Sequence, residues 1–142
     1  MVTVAEEITI DAPADEVWAV VAAPERQAEW FPGMKTSSVD GNVRTIGTAA
    51  GGMLLEEILC IDHERRRFEY RITGPMQFEH HLGSIEVEDV GGATRVVYGQ
   101  ELEPTALTYV LGAAIRDALI GLKALLETGT TSRGWDPGEA AS

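Results

Sequence analysis

A chain of 142 residues with 44% hydrophobic and 24% charged positions has the size and make-up of one globular domain. Its formal charge of −12 excludes a surface suited to phosphate backbones or anionic membranes, since Arg65-Arg66-Arg67 is the sole dense basic run. The single cysteine, Cys60, forms no internal disulfide, no apolar run approaches the roughly 20 residues that span a bilayer, and Glu6, Glu7 and Asp11 break up any leader-like stretch, so a cytoplasmic protein without integral membrane association is expected.

Val2 to Ile10 alternates as a first strand, with Val4, Ile8 and Ile10 as its better apolar positions. Pro13 then suits a first helical turn, and Asp15 and Glu16 favour the positive end of the helix. Val17, Trp18, Val20 and Val21 give that short helix an apolar face. Pro24 stops it. A second short helix over Glu25 to Phe31 ends at Pro32-Gly33. Six strand candidates come next: 35–40, 43–47, 53–62, 67–73, 78–90 and 94–103. Turn signals separate them at Asp40-Gly41, Gly47 to Gly52, Asp62 to Arg65, Gly74-Pro75 and Gly91-Gly92. Connections this short leave no room for crossover helices, which makes the strands an antiparallel meander.

Pro104 ends the last strand, and Thr105 is placed to cap a C-terminal helix. Leu107, Val110, Leu111, Ala114, Ala118, Leu119, Leu122 and Leu126 recur at three- and four-residue spacing, predicting an amphipathic helix of about 22 residues. The division expected is one domain over 1–128 and a small, polar, disordered tail over 129–142. Gly112, Ala113, Ala114 and Gly121 thin the helix. They either widen a space beneath it or let it approach the sheet closely.

The fold class is thus α+β: a seven-stranded curved antiparallel sheet wrapped around a long C-terminal helix, with two short helices after the first strand. With the opening Ile10-Asp-Ala-Pro-Ala-Asp-Glu-Val-Trp18 and the later Glu29-Trp-Phe-Pro-Gly33, the chain resembles the START-like superfamily, also called SRPBCC or helix-grip. Within it, the bacterial polyketide cyclase/dehydrase and lipid-transport branch is the nearer likeness, over residues 2 to about 127. Gly41-Asn-Val-Arg-Thr45, Glu56, Asp62 and Ile72-Thr-Gly74 also look like the plant abscisic-acid receptors. That resemblance implies a cavity between sheet and helix, a gate-like loop at Thr48 to Gly52 and a latch-like stretch at Pro75 to Phe78.

Strand phase nominates the candidate pocket residues. The loop Gly47 to Gly52 is centred on Ala50, so a symmetric hairpin sets Arg44 opposite Glu56 and Ile46 opposite Leu54. On an inward face that pair would fix a ligand's polar end; otherwise it is a structural salt bridge. Phe68, Tyr70 and Ile72 share one strand face, and Val96, Tyr98, Gln100 and Leu102 share another. Tyr70 and Tyr98 suit a pocket that is apolar with a few hydroxyls, or plain core packing. With Ile58, Leu82, Leu111, Ala114 and Ala118 these residues complete the expected ligand-binding set. Trp18 reads as core, and Cys60 as a buried thiol.

Neither cofactor nor metal is expected. His80 and His81 are adjacent on a strand and point to opposite faces, and His63 has no evident partner in its turn. No catalytic constellation stands out. The expected partner is a small hydrophobic molecule such as a lipid or polyketide, with the protein acting as carrier or sensor. The alternatives are a polyketide cyclase or aromatase, in which Arg44, Glu56 or a tyrosine assists proton transfer, and a co-chaperone-like interaction module. No feature of the sequence specifies an oligomer.

Overall fold

The computed structural model describes residues 2–132. Seven strands, β1 (Val2–Ile10), β2 (Met34–Asp40), β3 (Val43–Thr48), β4 (Met53–Asp62), β5 (Arg67–Gly74), β6 (His80–Asp89) and β7 (Thr94–Glu103), form one antiparallel sheet. Their order is β1-β7-β6-β5-β4-β3-β2. The meander from β2 to β7 is set by the short turns. The first strand, however, pairs with the last, Val2 opposite Leu102 and Ile10 opposite Thr94.

Between β1 and β2 lie α1 (Ala14–Val21) and a 3-10 helix (Pro24–Glu29). The second short helix was expected to be α-helical over 25–31. Its tighter winding stacks residues three apart, so Pro24, Gln27 and Trp30 fall on one side, and the latter two are buried. Thr105 does not cap the long helix. It opens a 3-10 turn (Thr105–Leu107), and α2 (Thr108–Thr128) continues from there. Gly129 closes α2 in the left-handed conformation, where a glycine carries no Cβ penalty.

Of the tail expected to be disordered, residues 129–132 are described: Ser132 N–H and Thr131 Oγ1 both donate to the Glu29 carbonyl, at 2.7 and 3.1 Å. The remainder, 133–142, lies outside the described residues.

The buried stripe of α2 is Leu111, Gly112, Ile115, Ala118, Leu119, Gly121 and Leu122. It is rotated from the expected one. Val110 is 62% exposed, Ala114 is half-buried, and Ile115, which the spacing pattern passed over, is fully buried. The hollow expected between α2 and the sheet is occupied. Ile115, Ala118, Leu119 and Leu122 join Trp30, Val96, Tyr98 and Ile10 in one continuous apolar cluster. Gly121 permits this closeness, because a Cβ there would collide with the Trp30 carbonyl oxygen.

Candidate functional site

The inner face of the sheet carries polar groups in the middle of an apolar core. Arg44 on β3 and Glu56 on β4 stand opposite one another as the hairpin symmetry requires, with Ile46 opposite Leu54. Both charged side chains are 2% exposed. Arg44 Nε donates to Glu56 Oε1 at 2.7 Å. Nη2 lies 2.5 Å from the same oxygen, an ion-pair contact without the alignment of a hydrogen bond. The guanidinium sits 5.3 and 5.2 Å from the ring centroids of Phe68 and Tyr70, and Nη1 reaches toward the Pro24 carbonyl at 3.5 Å. Burial pushes the Glu56 carboxyl above its usual range; the Arg44 charge and hydrogen bond oppose that push.

Beside this pair runs a chain of hydrogen bonds across β5, β6 and β7. Ile72 N–H donates to His81 Nδ1 at 3.0 Å. That fixes the imidazole tautomer: Nδ1 accepts, so Nε2 carries the hydrogen and donates to Gln100 Oε1 at 2.5 Å. Gln100 Nε2 donates to the Tyr70 hydroxyl at 2.9 Å, and the Tyr70 and Tyr98 hydroxyls are 2.5 Å apart. Burial raises both phenols well above their ordinary values, so they stay neutral donors. Burial also lowers the His81 imidazole.

Three buried polar atoms have no hydrogen-bond partner among the described residues: Arg44 Nη2, Trp30 Nε1 and Gln27 Oε1. They belong to one neighbourhood. The Trp30 ring is 6.4 Å from that of Tyr98, Tyr98 is 6.4 Å from Tyr70, and Arg44 lies over Tyr70 while touching the 3-10 helix that carries Gln27 and leads into Trp30. Orphaned polar atoms in a core are costly, about 1–3 kcal/mol each.

A cleft reaches this polar ridge from outside. The β5–β6 ladder stops at Tyr70 opposite Gly83, while β5 goes on pairing with β4 to Gly74 and β6 with β7 to His80. The sheet therefore splits beyond Tyr70. A cavity of about 550 Å3 occupies the split, with Ile72 and His81 on its inner wall and Leu59, Met76, Phe78 and Leu82 among its apolar lining. His81 ties the parted strands there, its ring standing in for a ladder bond.

The expected site residues therefore divide. Arg44, Glu56, Tyr70, Ile72 and Tyr98 converge on the ridge, and half-buried Ile58 stands opposite Tyr70. Leu82 does not join them. The inward phase of β6 is His81, Gly83, Ile85 and Val87, so Leu82 lies on the outer face opposite Glu101 and lines the cleft from there. Leu111 and Ala118 are packed in the core and line neither the cleft nor the second cavity, about 380 Å3, which lies between α2 and residues 130–132. Half-buried Ala114 lines neither cavity as well.

Two further readings need correction. A bulge at Leu59 shifts the phase of β4 and leaves Cys60 half-exposed opposite Glu69 rather than buried. His63 does have a partner, accepting from Trp18 Nε1 at 3.1 Å. Residues that the strand pattern did not mark as functional are His81, Gln100 as a bonding group, and Trp30. The loop 48–52 is fastened by Gly52 N–H to Thr48 Oγ1 (2.9 Å) and Ala49 N–H to the Gly33 carbonyl (2.8 Å). No helix among the described residues is long and apolar enough to cross a membrane.

Comparison with known proteins gives a consistent picture. The family model described as polyketide cyclase/dehydrase and lipid transport matches residues 1–127. Similar solved structures include XoxI from Bacillus cereus (17% identity, TM-score 0.83, 90% of this chain and 97% of that one). A START superfamily protein from Mycobacterium smegmatis is also similar (12%, 0.77, 90% and 99%). So is the di-domain ARO/CYC BexL of the BE-7585A biosynthetic pathway (23%, 0.72, 87% and 45%). At these identities the structures establish the helix-grip fold. No curated protein matches the chain.

Proposed function

Because the chain belongs to the polyketide cyclase/dehydrase and lipid-transport family, we propose that it binds a small hydrophobic molecule, as carrier or sensor, with residues 1–128 as the binding domain. The ligand's apolar body occupies the cleft between β5 and β6, and its polar end is directed past Ile72 to the ridge of Arg44, Glu56, Tyr70 and Tyr98. The observation that carries this reading is the cleft itself: about 550 Å3 of space that abuts buried polar groups, three of whose atoms have no partner among the described residues. A cavity of this volume suits a small ligand, and a few placed polar atoms in an apolar lining supply orientation.

The test is fluorescence titration with the neutral lipophile N-phenyl-1-naphthylamine, alongside native mass spectrometry of freshly purified protein. Saturable binding that is lost in Ile72→Trp, a change that fills the inner wall of the cleft, is the expected result. Binding unaffected by Ile72→Trp would move the ligand elsewhere, and no binding of any lipophile would end the proposal.

One observation favours a second, enzymatic reading. Glu56 is a carboxyl raised by burial next to two neutral phenols, the arrangement a general acid or base uses near neutral pH. One structural neighbour bears the name ARO/CYC. Cyclisation of a poly-β-carbonyl thioester that Glu56→Gln abolishes, with binding retained, is the outcome that would establish it.

A further inference from the structure

The hydrogen-bond chain has a direction, and its far end is open. Ile72 N–H is an obligatory donor, so His81 Nδ1 must accept. Each later link is then set in turn: His81 donates to Gln100, and Gln100 donates to the Tyr70 oxygen. Two phenolic hydrogens remain for Tyr70 and Tyr98, and these hydroxyls are acceptors for each other alone among the described residues. One hydrogen fills the 2.5 Å gap between them. The other has no acceptor.

Polarisation along a chain strengthens bonds that run head to tail. That favours Tyr70 as donor to Tyr98 and leaves the Tyr98 O–H free. The neighbourhood is already rich in donors, with Trp30 Nε1 and Arg44 Nη2 unmatched against the single acceptor Gln27 Oε1. A buried donor without an acceptor discriminates sharply between ligands that supply one and ligands that do not.

We propose that the site selects lipophiles presenting a hydrogen-bond acceptor oxygen, such as a ketone, ester or ether, and that the Tyr98 hydroxyl is the group that reads it. This rests on the binding reading above and names the ligand class for the same site. Tyr98 determines specificity; His81 and Gln100 are positioning residues, which set the direction of the donor without touching the ligand.

The experiment compares 2-acetylnaphthalene with 2-ethylnaphthalene, which differ by a carbonyl in place of a methylene, in wild type, Tyr98→Phe and Tyr70→Phe. Wild type is expected to bind the ketone about tenfold more tightly. Tyr98→Phe brings the two affinities together by weakening the ketone alone, and Tyr70→Phe keeps the preference. In the ligand-free protein, nitrogen NMR of His81 shows the Nε2–H tautomer.

Equal affinities in wild type, or a preference that survives Tyr98→Phe, overturn the proposal. So does a preference lost in Tyr70→Phe instead. Should neither naphthalene bind while N-phenyl-1-naphthylamine does, the acceptor rule fails and the binding reading stands. Should all three fail to bind, the binding reading falls and takes this inference with it. Both variants remove one oxygen atom, and amide spectra matching wild type confirm that they fold.

Discussion

The Tyr70 ring lies over Gly83, its neighbour in register, in the space a side chain on that glycine would need. A Cβ at Gly83 would collide with the Cε1 and Cζ atoms of the ring and come within 2.9 Å of its hydroxyl. Tyr70 is buried and bonded to Gln100 and Tyr98, so it has no free direction in which to move. Gly83→Ala should therefore destabilise the protein by about 2 kcal/mol, the cost of overpacking a tight core, as read by urea denaturation. It should also break the hydrogen bond between Tyr70 and Tyr98, visible as a change in the tyrosine ring resonances.

The Arg44–Glu56 pair makes a second prediction. Glu56→Gln or Arg44→Met alone leaves its partner charged and uncompensated at 2% exposure, costing about 3–5 kcal/mol. The double change Arg44→Met with Glu56→Leu should cost much less than the sum, since burying apolar groups in place of the pair removes both desolvation penalties. A double-mutant cycle measured by chemical denaturation checks this. Additive losses would mean that the two side chains do not act as a pair.

His81 supplies a pH dependence whose sign is set by its burial. Burial lowers its pKa in the folded protein; the Gln100 hydrogen bond opposes that, and neighbouring His80 adds to it. In the unfolded chain the imidazole titrates near ~6.5. Between that value and the lower folded one, the unfolded state binds more protons, so stability falls as pH drops below about 6.5 and levels off below the folded value. Denaturation midpoints across this window should show the slope in wild type and lose it in His81→Gln.

Gly121→Ala should be among the most damaging small changes. The added methyl would meet the backbone oxygen of Trp30, which cannot rotate aside, and would crowd Ser132 Oγ at 2.9 Å. A loss of about 3 kcal/mol is expected by thermal or chemical denaturation. Ala118 is fully buried on the same helix without such a conflict, and Ala118→Gly should cost only about 1 kcal/mol, mainly through helix propensity.

Much of this was legible before any coordinates. Strand limits followed from Gly, Pro and Asp turns, and the Arg44–Glu56 register followed from a hairpin symmetric about Ala50, a local property. What escaped was long-range or irregular. The bulge at Leu59 reverses phase within one apolar run, Ile58 to Ile61, and no residue type there marks it. Leu82 looked inward because it is apolar, although Ile85 and Val87 set the opposite phase and place His81 and Gly83 inside.

The ridge itself combines β5, β6 and β7, so its residues could be named as faces of separate strands but not joined until their register was known. The filled interior was hidden for a related reason: Trp30 enters it from a 3-10 segment whose period of three does not show as an α-helical stripe.

The pairing of Val2 with Leu102 and Ile10 with Thr94 carries a consequence for how the molecule comes into being. During synthesis the first strand emerges long before the neighbour that completes its hydrogen bonds, while the hairpins from β2 to β6 assemble from adjacent segments as they appear. Closing that long loop is entropically slow, and N-terminal chain with unmatched strand edges is prone to aggregate while it waits. A translational pause that exposes β1 to β6 without β7 would thus hold the nascent protein in its most vulnerable form.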